Sequence, residues 1–400
     1  SSLSETDIDR AAERILTLIF KTKKMQNYEF DNNPNLEKHA QITRNSAAEG
    51  MVLLKNNGVL PLTNITNVAL LGVTCYEFIA GGSGSGDVNE AYTISLEEGL
   101  SNGGFEINVL GNQLFEAHKL ANITGFKRPE GLNAIFNPYI PPEINYSKEQ
   151  LDEIAVTSDI GIFTLGRNAG EGGDRMKEDD FLLTSSEKDF IQNITQAFHA
   201  QGKRVVMVLN IGGVIETASW KSLPDAILLA WQGGQEGGNS VADILLGKVN
   251  PSGKLPMTFP VNLEDHASHA NFPKNPIMVN IKTLLKNMIF PPKDRPLKEQ
   301  VKDEDYTNYD EGIYVGYRHF EKANIAVSYP FGFGLSYTDF TYQDMEASVV
   351  NDSIQIKFAI KNTGDVSGKE VVQVYVEKLD SGIDRPKQEL KAFTKSQLLN

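Results

Sequence analysis

Four short apolar runs, at 68–71, 160–165, 205–209 and 226–230, stand out from the polar background of the chain. They are continuous rather than alternating, the pattern of strands buried on both faces. Between them lie stretches of helical period. From Ser186 onward, Phe190, Ile191, Ile194 and Phe198 recur on one face and close near Gly202, and a shorter helix over 240–246 closes at Gly247. Strand–helix alternation predicts an α/β fold, an α/β sandwich built on a mostly parallel sheet with covered faces. Beyond Tyr337 the period drops to two. Ile354, Ile356, Phe358 and Ile360 share one face, the NTGD at 362–365 turns the chain, and Val372, Val374 and Val376 share another. That predicts antiparallel strands with one solvated side.

The first residues read differently. Ser4 and Asp7 have capping-box spacing, and Ile8, Ala11, Ala12, Ile15, Leu16, Ile19 and Phe20 follow at helical spacing. This helix has a wide apolar face and nothing before it to pack against. A second helix over about 36–51 leads into the run Val52, Leu53, Leu54, Lys55. Residues 263–310 are polar, proline-bearing and weakly periodic, as a long connection or insertion would be.

Composition narrows the class. At 400 residues and 40% hydrophobic content, the chain can bury a sizeable core and reads as two domains or so. A net charge of −14 argues against nucleic acid, which selects basic surfaces. No apolar run is long enough to cross a membrane as a helix. The single cysteine, Cys75, excludes an internal disulfide framework. Sequons at Asn64, Asn122, Asn145, Asn193 and Asn351 fix no compartment, with periplasmic or secreted favoured over cytoplasmic.

The segment GRNAGEGGDR at 166–175 carries the sharpest candidate chemistry. Glu171 sits between glycines at the exit of a buried strand, where the backbone can turn tightly and approach a ligand. Taken alone, the stretch is better explained as a solvated turn glutamate. Other segments change the balance: RNSAAEGMVLLKNNGVLPL at 44–62, GGSGSG at 81–86, AWQGGQEGG at 230–238, GKVNPSGKLPMTFP at 247–260 and YPFGFGLSYTDF at 329–340. In this order they resemble family 3 glycoside hydrolases, the retaining β-glucosidases and their relatives, along nearly the whole chain.

The resemblance implies a retaining exo-β-glycosidase acting on terminal non-reducing β-D-glucosyl residues. It makes Glu171 the general acid/base, within the family's EG-x-DR pattern, and needs no metal or other cofactor. The family's nucleophilic aspartate lies in an SDW-like motif of an N-terminal (β/α)8 barrel. Here the only Ser-Asp is Ser158-Asp159, followed by Ile160 and leading into a strand, so the chain resembles the C-terminal part of such an enzyme. Its expected partners are a β-glucoside or oligosaccharide and the barrel domain, with a homodimer open and neither nucleic acid nor membrane. The resemblance divides the chain into 1–45, the end of the barrel region with linker helices; 46–262, the α/β sandwich with the acid/base loop; 263–335, a connection; and 336–400, a partial fibronectin-III-like sandwich. The rival reading is a non-catalytic carbohydrate-binding or assembly subunit.

Ligands collect beyond the carboxyl ends of parallel strands. Loops 81–87, 166–175, 210–213 and 231–238 would form one rim there, furnished by Glu171, Ser85, Asp87, Asn210 and Trp231. The GGSGSG loop lacks the third glycine of a dinucleotide fingerprint and the Lys-Ser/Thr of a P-loop. The family reading makes Ser85 a sugar contact. Trp231 is a sugar platform or a core residue, and Asp174 with Arg175 pins the loop by an ion pair. Glu236 reads as a helix-start acid. Asp265, His266 and His269 only imitate a metal site. Tyr309, Tyr314, Tyr317 and Arg318 read as domain packing.

Overall fold

The computed structural model describes residues 3–86, 88, 90–129, 139–169, 175–271 and 308–400. The chain divides into two compact units, 1–40 and 41–400. In the first, helix α1 (Glu5–Phe20) starts at Ser4, whose hydroxyl accepts the Asp7 N–H while the Asp7 carboxylate accepts the Ser4 N–H. Ile8, Ile15, Leu16, Leu18, Ile19 and Phe20 of this helix are all exposed. Helix α2 (Leu36–Gly50) begins in this unit and ends in the second.

The second unit is built on a six-stranded sheet of β1 (Val52–Asn56), β2 (Asn67–Leu71), β3 (Glu106–Ile107), β4 (Ile160–Arg167), β5 (Arg204–Ile211) and β6 (Ala226–Leu229), in the order β1-β6-β5-β4-β2-β3. All pairings are parallel except β1 with β6. The four apolar runs are the four central strands. Their continuous hydrophobicity has a direct cause, because alternate residues serve two different cores. Ala69, Leu71, Phe163, Leu165, Val205, Met207, Leu209, Ile227 and Leu229 face one side. Val68, Leu70, Ile160, Ile162, Val206, Val208, Ala226 and Leu228 face the other.

Each side is covered by helices. The first core receives Leu151 and Ile154 of α5 (Lys148–Thr157) with Ile191, Ile194 and Phe198 of α6 (Ser185–Ala200). The second receives Leu96 and Leu100 of α3 (Leu96–Asn102) with Val241, Ile244 and Leu245 of α7 (Gly237–Leu245). Helix α4 (Val109–Ala121) lies between β3 and α5 in the chain. Capping boxes start α3, α5 and α6, at Ser95, Ser147 and Thr184. Helices α3 and α7 touch almost backbone to backbone. A Cβ on Gly238 would lie 1.8 Å from the Ser95 carbonyl oxygen, and one on Gly99 2.3 Å from that of Gly238.

Further along, β7 (Phe259–Pro260) pairs with β8 (Val327–Tyr329), and α8 (Tyr317–Lys322) precedes the latter. The predicted change of period appears as two antiparallel ribbons, β9 (Phe340–Val350) with β10 (Ser353–Asn362) and β11 (Val371–Val376) with β12 (Glu389–Lys395). Ile356, Phe358 and Ile360 are half-buried, whereas Ile354 is exposed. Lys369 and Lys395 both bind the Glu49 carboxylate, and Lys395 also donates to the Ser252 hydroxyl at 3.0 Å. These contacts tie the ribbons to the end of α2 and to the segment after α7.

Candidate functional site

The loops at the carboxyl ends of the parallel strands are woven together by specific bonds. At the end of β5, Asn210 is fully buried. Its carboxamide accepts the Ile79 N–H at 2.7 Å and donates to the carbonyls of Ile79 at 3.0 Å and Trp231 at 2.7 Å. Asn210 is therefore a buried strap between two loops, correcting its assignment to the rim: both its N–H groups and its oxygen are engaged by backbone groups.

Trp231, just past β6, has φ of +56°, a left-handed conformation uncommon for a bulky residue. The Asn210 bond to its carbonyl helps hold it there. The indole is partly buried against the first core, so packing accounts for part of its surface. Next in the chain, the Gln232 Nε2 donates to Gly81 O at 3.1 Å and to Asn168 Oδ1 at 3.0 Å. Three backbone bonds complete the weave: Ser83 N–H to Ala169 O at 3.1 Å, Gly212 N–H to Arg167 O at 2.9 Å and Gly234 N–H to Ala80 O at 2.8 Å.

The stems of the glycine-rich loop after β4 are anchored differently. On the entry side, Arg167 donates to both oxygens of Glu187 at 2.6 Å, to the Gly166 carbonyl at 2.9 Å and to the Asp180 carbonyl at 3.1 Å. Burial pushes the Glu187 carboxyl up, but the Arg167 bonds and charge, with the Thr184 N–H, outweigh it and hold the group below its ordinary value. On the exit side, Arg175 binds the Asp180 carboxylate at 2.5 Å, whose second oxygen accepts the Met176 N–H at 2.9 Å. The Arg175 guanidinium lies over Gly213, where a Cβ would come within 2.9 Å of it. Arg175 thus anchors the exit stem through Asp180.

Glu171, Asp174 and Asp87 lie outside the described residues, as does the side chain of Ser85, whose backbone sits in the short turn Gly84–Gly86. Both stems of the Glu171 loop and the stem of the Ser85 loop nevertheless reach one rim. Gly81 and Ser83, Asn168 and Ala169, Arg175, Gly212 and Gly213, and Gln232 all meet there.

The other candidates fall elsewhere. The Asp159 carboxylate accepts the N–H groups of Asn67 at 2.8 Å and Thr66 at 2.9 Å, at the amino ends of β2 and β4, and these bonds lower its pKa. It is an edge staple. Glu236 occupies the N-cap of α7 without capping it; its buried carboxylate accepts from Tyr92 Oη at 2.5 Å and Asn239 Nδ2 at 2.7 Å. Asp265 turns back onto the Asn262 N–H at 2.8 Å, and no metal-ligand cluster is gathered among the described residues. Burial pushes the Cys75 thiol up to about 12. Tyr314, Tyr317 and Arg318 reach Asp384, Leu390 and Glu389, as packing residues would.

Sequence reading passed over Gln232, Asn168, Asp180 and Glu187. A side-chain amide directly after a strand end, inside a run of glycines, was the available signal for Gln232.

Comparison with known proteins gives this geometry a context. Residues 51–337 match the glycosyl hydrolase family 3 C-terminal domain, and residues 370–400 match a fibronectin type III-like domain. Beta-glucosidase A of Butyrivibrio fibrisolvens is 34% identical over 409 residues, covering 91% of this chain and 44% of that protein. Thermostable beta-glucosidase B of Acetivibrio thermocellus is 32% identical over 404 residues, with 98% of this chain and 45% of that protein covered. Among solved structures, beta-glucosidase 3B from Thermotoga neapolitana in complex with glucose matches 100% of this chain and 52% of its own, at 37% identity and a TM-score of 0.83. The chain spans about half the length of these relatives.

Proposed function

The chain belongs to glycosyl hydrolase family 3, and on that premise we propose that it supplies the general acid/base of a retaining exo-β-glucosidase. Glu171 is the acid/base, and the nucleophilic aspartate comes from a (β/α)8 barrel domain that completes the site. Residues 46–262 are the catalytic α/β part, 263–335 a connection and 336–400 the fibronectin-III-like part, with 1–45 joining them to the barrel. The observation that carries this reading is the convergence of the loop stems on both sides of Glu171 at the carboxyl edge of the sheet, where an open α/β sheet binds ligands.

In the first step Glu171 protonates the leaving glycosidic oxygen while the barrel aspartate attacks the anomeric carbon. In the second it deprotonates water, which releases the sugar with retained configuration. A retaining pair stands about 5–5.5 Å apart, so the loop must be held against the barrel domain within ångström limits. The Arg167–Glu187 and Arg175–Asp180 pairs serve that end by fixing both stems. Ser85, Asp87 and Trp231 are the proposed sugar contacts.

The test is Glu171→Ala in the enzyme that joins this chain to its barrel. Hydrolysis of substrates with poor leaving groups should fall by about 10²–10⁴-fold. A dinitrophenyl glucoside should form the glycosyl-enzyme and stall, and azide should relieve the stall as the β-glycosyl azide. Equal losses on both substrate types, with no azide product, would move the acid/base role to another residue. The 400-residue chain by itself should not turn over an aryl glucoside.

A further inference from the structure

The carboxamide of Gln232 hydrogen-bonds both the loop leading to Ser85 and the loop leading to Glu171. Its nitrogen has two N–H groups, and both are used: one on Gly81 O at 3.1 Å, the other on Asn168 Oδ1 at 3.0 Å. Turning the amide over would aim its oxygen at two acceptors, so the orientation is set. The Gln232 oxygen lies over Gly212, where a Cβ would come within 2.4 Å of it. Any larger residue at 212 would push the carboxamide away.

Gly81 and Asn168 each lie a few residues ahead of the side chains proposed to touch sugar, on separate loops from separate strands. The backbone bond from Ser83 N–H to Ala169 O is a second tie between the same loops. One bond lets two loops pivot about it; a second, displaced bond removes the pivot. From this geometry we infer that Gln232 is a positioning residue, which fixes the stem of the Glu171 loop through Asn168 and sets the acid/base carboxyl against the leaving-group oxygen. The inference rests on the acid/base reading of Glu171. It predicts damage to proton donation, not to the fold, because the backbone tie and both arginine pairs remain.

The experiment uses the barrel-joined enzyme with Gln232→Met, which keeps length and volume but donates no hydrogen bond, and Gln232→Glu, which puts an acceptor where the donor stood. Asn168→Ala removes the same bond from its other side. Rates are measured across aryl glucosides of graded leaving-group acidity, with Glu171→Ala in parallel and thermal unfolding recorded for each. The three variants should lose up to about 100-fold in kcat on poor leaving groups, the scale of an ångström misplacement, and little on dinitrophenyl glucoside. Peptides spanning 166–176 should also exchange amide hydrogens faster than in the parent. Leaving-group dependence equal to the parent's, while Glu171→Ala shows a steep one, would overturn the role of Gln232 and leave the acid/base assignment standing. A flat dependence in Glu171→Ala would overturn both.

Discussion

Replacing Glu187 by alanine removes the main anchor of the Arg167 guanidinium, at the point where β4 runs into the glycine-rich loop. The side chains of Arg167 and Glu187 are only 13% and 15% exposed, and they meet through two bonds of 2.6 Å. Removing one partner of such a pair leaves a largely desolvated charge, which costs about 3–5 kcal/mol. Glu187 is also the N3 residue of the α6 capping box and accepts the Thr184 N–H at 2.8 Å, a contribution of about 1 kcal/mol. Against this, Arg167 keeps the carbonyls of Gly166 and Asp180, and the Asp180 carboxylate lies 3.9 Å away. The net expectation is a loss of about 3–5 kcal/mol, or a fall in Tm of roughly 6–20 °C for a domain of this size.

Trp220 and Trp231 both belong to the α/β region, so intrinsic fluorescence reports its unfolding. The double variant Arg167→Met/Glu187→Leu should be more stable than Glu187→Ala, because it removes the stranded charge. The pH dependence has a definite sign. The folded-state pKa of Glu187 is lowered, so its contribution is complete above the unfolded value near 4.3 and is lost as pH falls through the folded value. The Tm gap between parent and Glu187→Ala should therefore close in acid. A gap below about 2 °C at pH 7, or one that widens in acid, would refute the reasoning.

Three other outcomes follow from the packing. Gly238→Ala should cost about 3 kcal/mol or more, since its methyl would collide with the Ser95 carbonyl, and a Tm within 2 °C of the parent would contradict the contact. Asn210→Ala should cost about 3 kcal/mol by leaving the Ile79 N–H and the carbonyls of Ile79 and Trp231 without their partner, as chemical denaturation would show. Burial raises the Asp225 carboxyl, but His199, the Val205 N–H and Arg204 outweigh it and hold its pKa down, so it stabilises above about pH 4 and fades below the folded value. Asp225→Asn should lower stability at pH 7 and flatten the acid limb of a Tm–pH curve; an unchanged limb would remove Asp225 from that account.

Much of this architecture was legible along the chain because it follows from period. A strand buried on both faces must be apolar at every position, so the four runs at 68–71, 160–165, 205–209 and 226–230 marked the central strands directly. Ser4 with Asp7 is a helix start whose partners lie three residues apart. The alternation beyond Tyr337 marked the ribbons for the same local reason.

The direction of the edge strand β1 and the partners of the polar groups were not legible. Val52–Asn56 reads as one more apolar run, and only its place beside β6 makes it antiparallel. Asn210 looked like a rim residue because it ends a strand; burial and three backbone partners from distant loops turned it into a strap. Arg175 also binds Asp180, which a reversal of the chain at Asp179, with φ of +60°, brings back to it. Gln232 shows in isolation only its place among glycines after a strand. Its meaning comes from Gly81 and Asn168, which the sheet order brings to one edge from segments far apart in the chain. Local period sets which residues are buried; which polar groups then face each other is decided by the packing of segments far apart in the chain, because a hydrogen bond depends on where its partner lies in space.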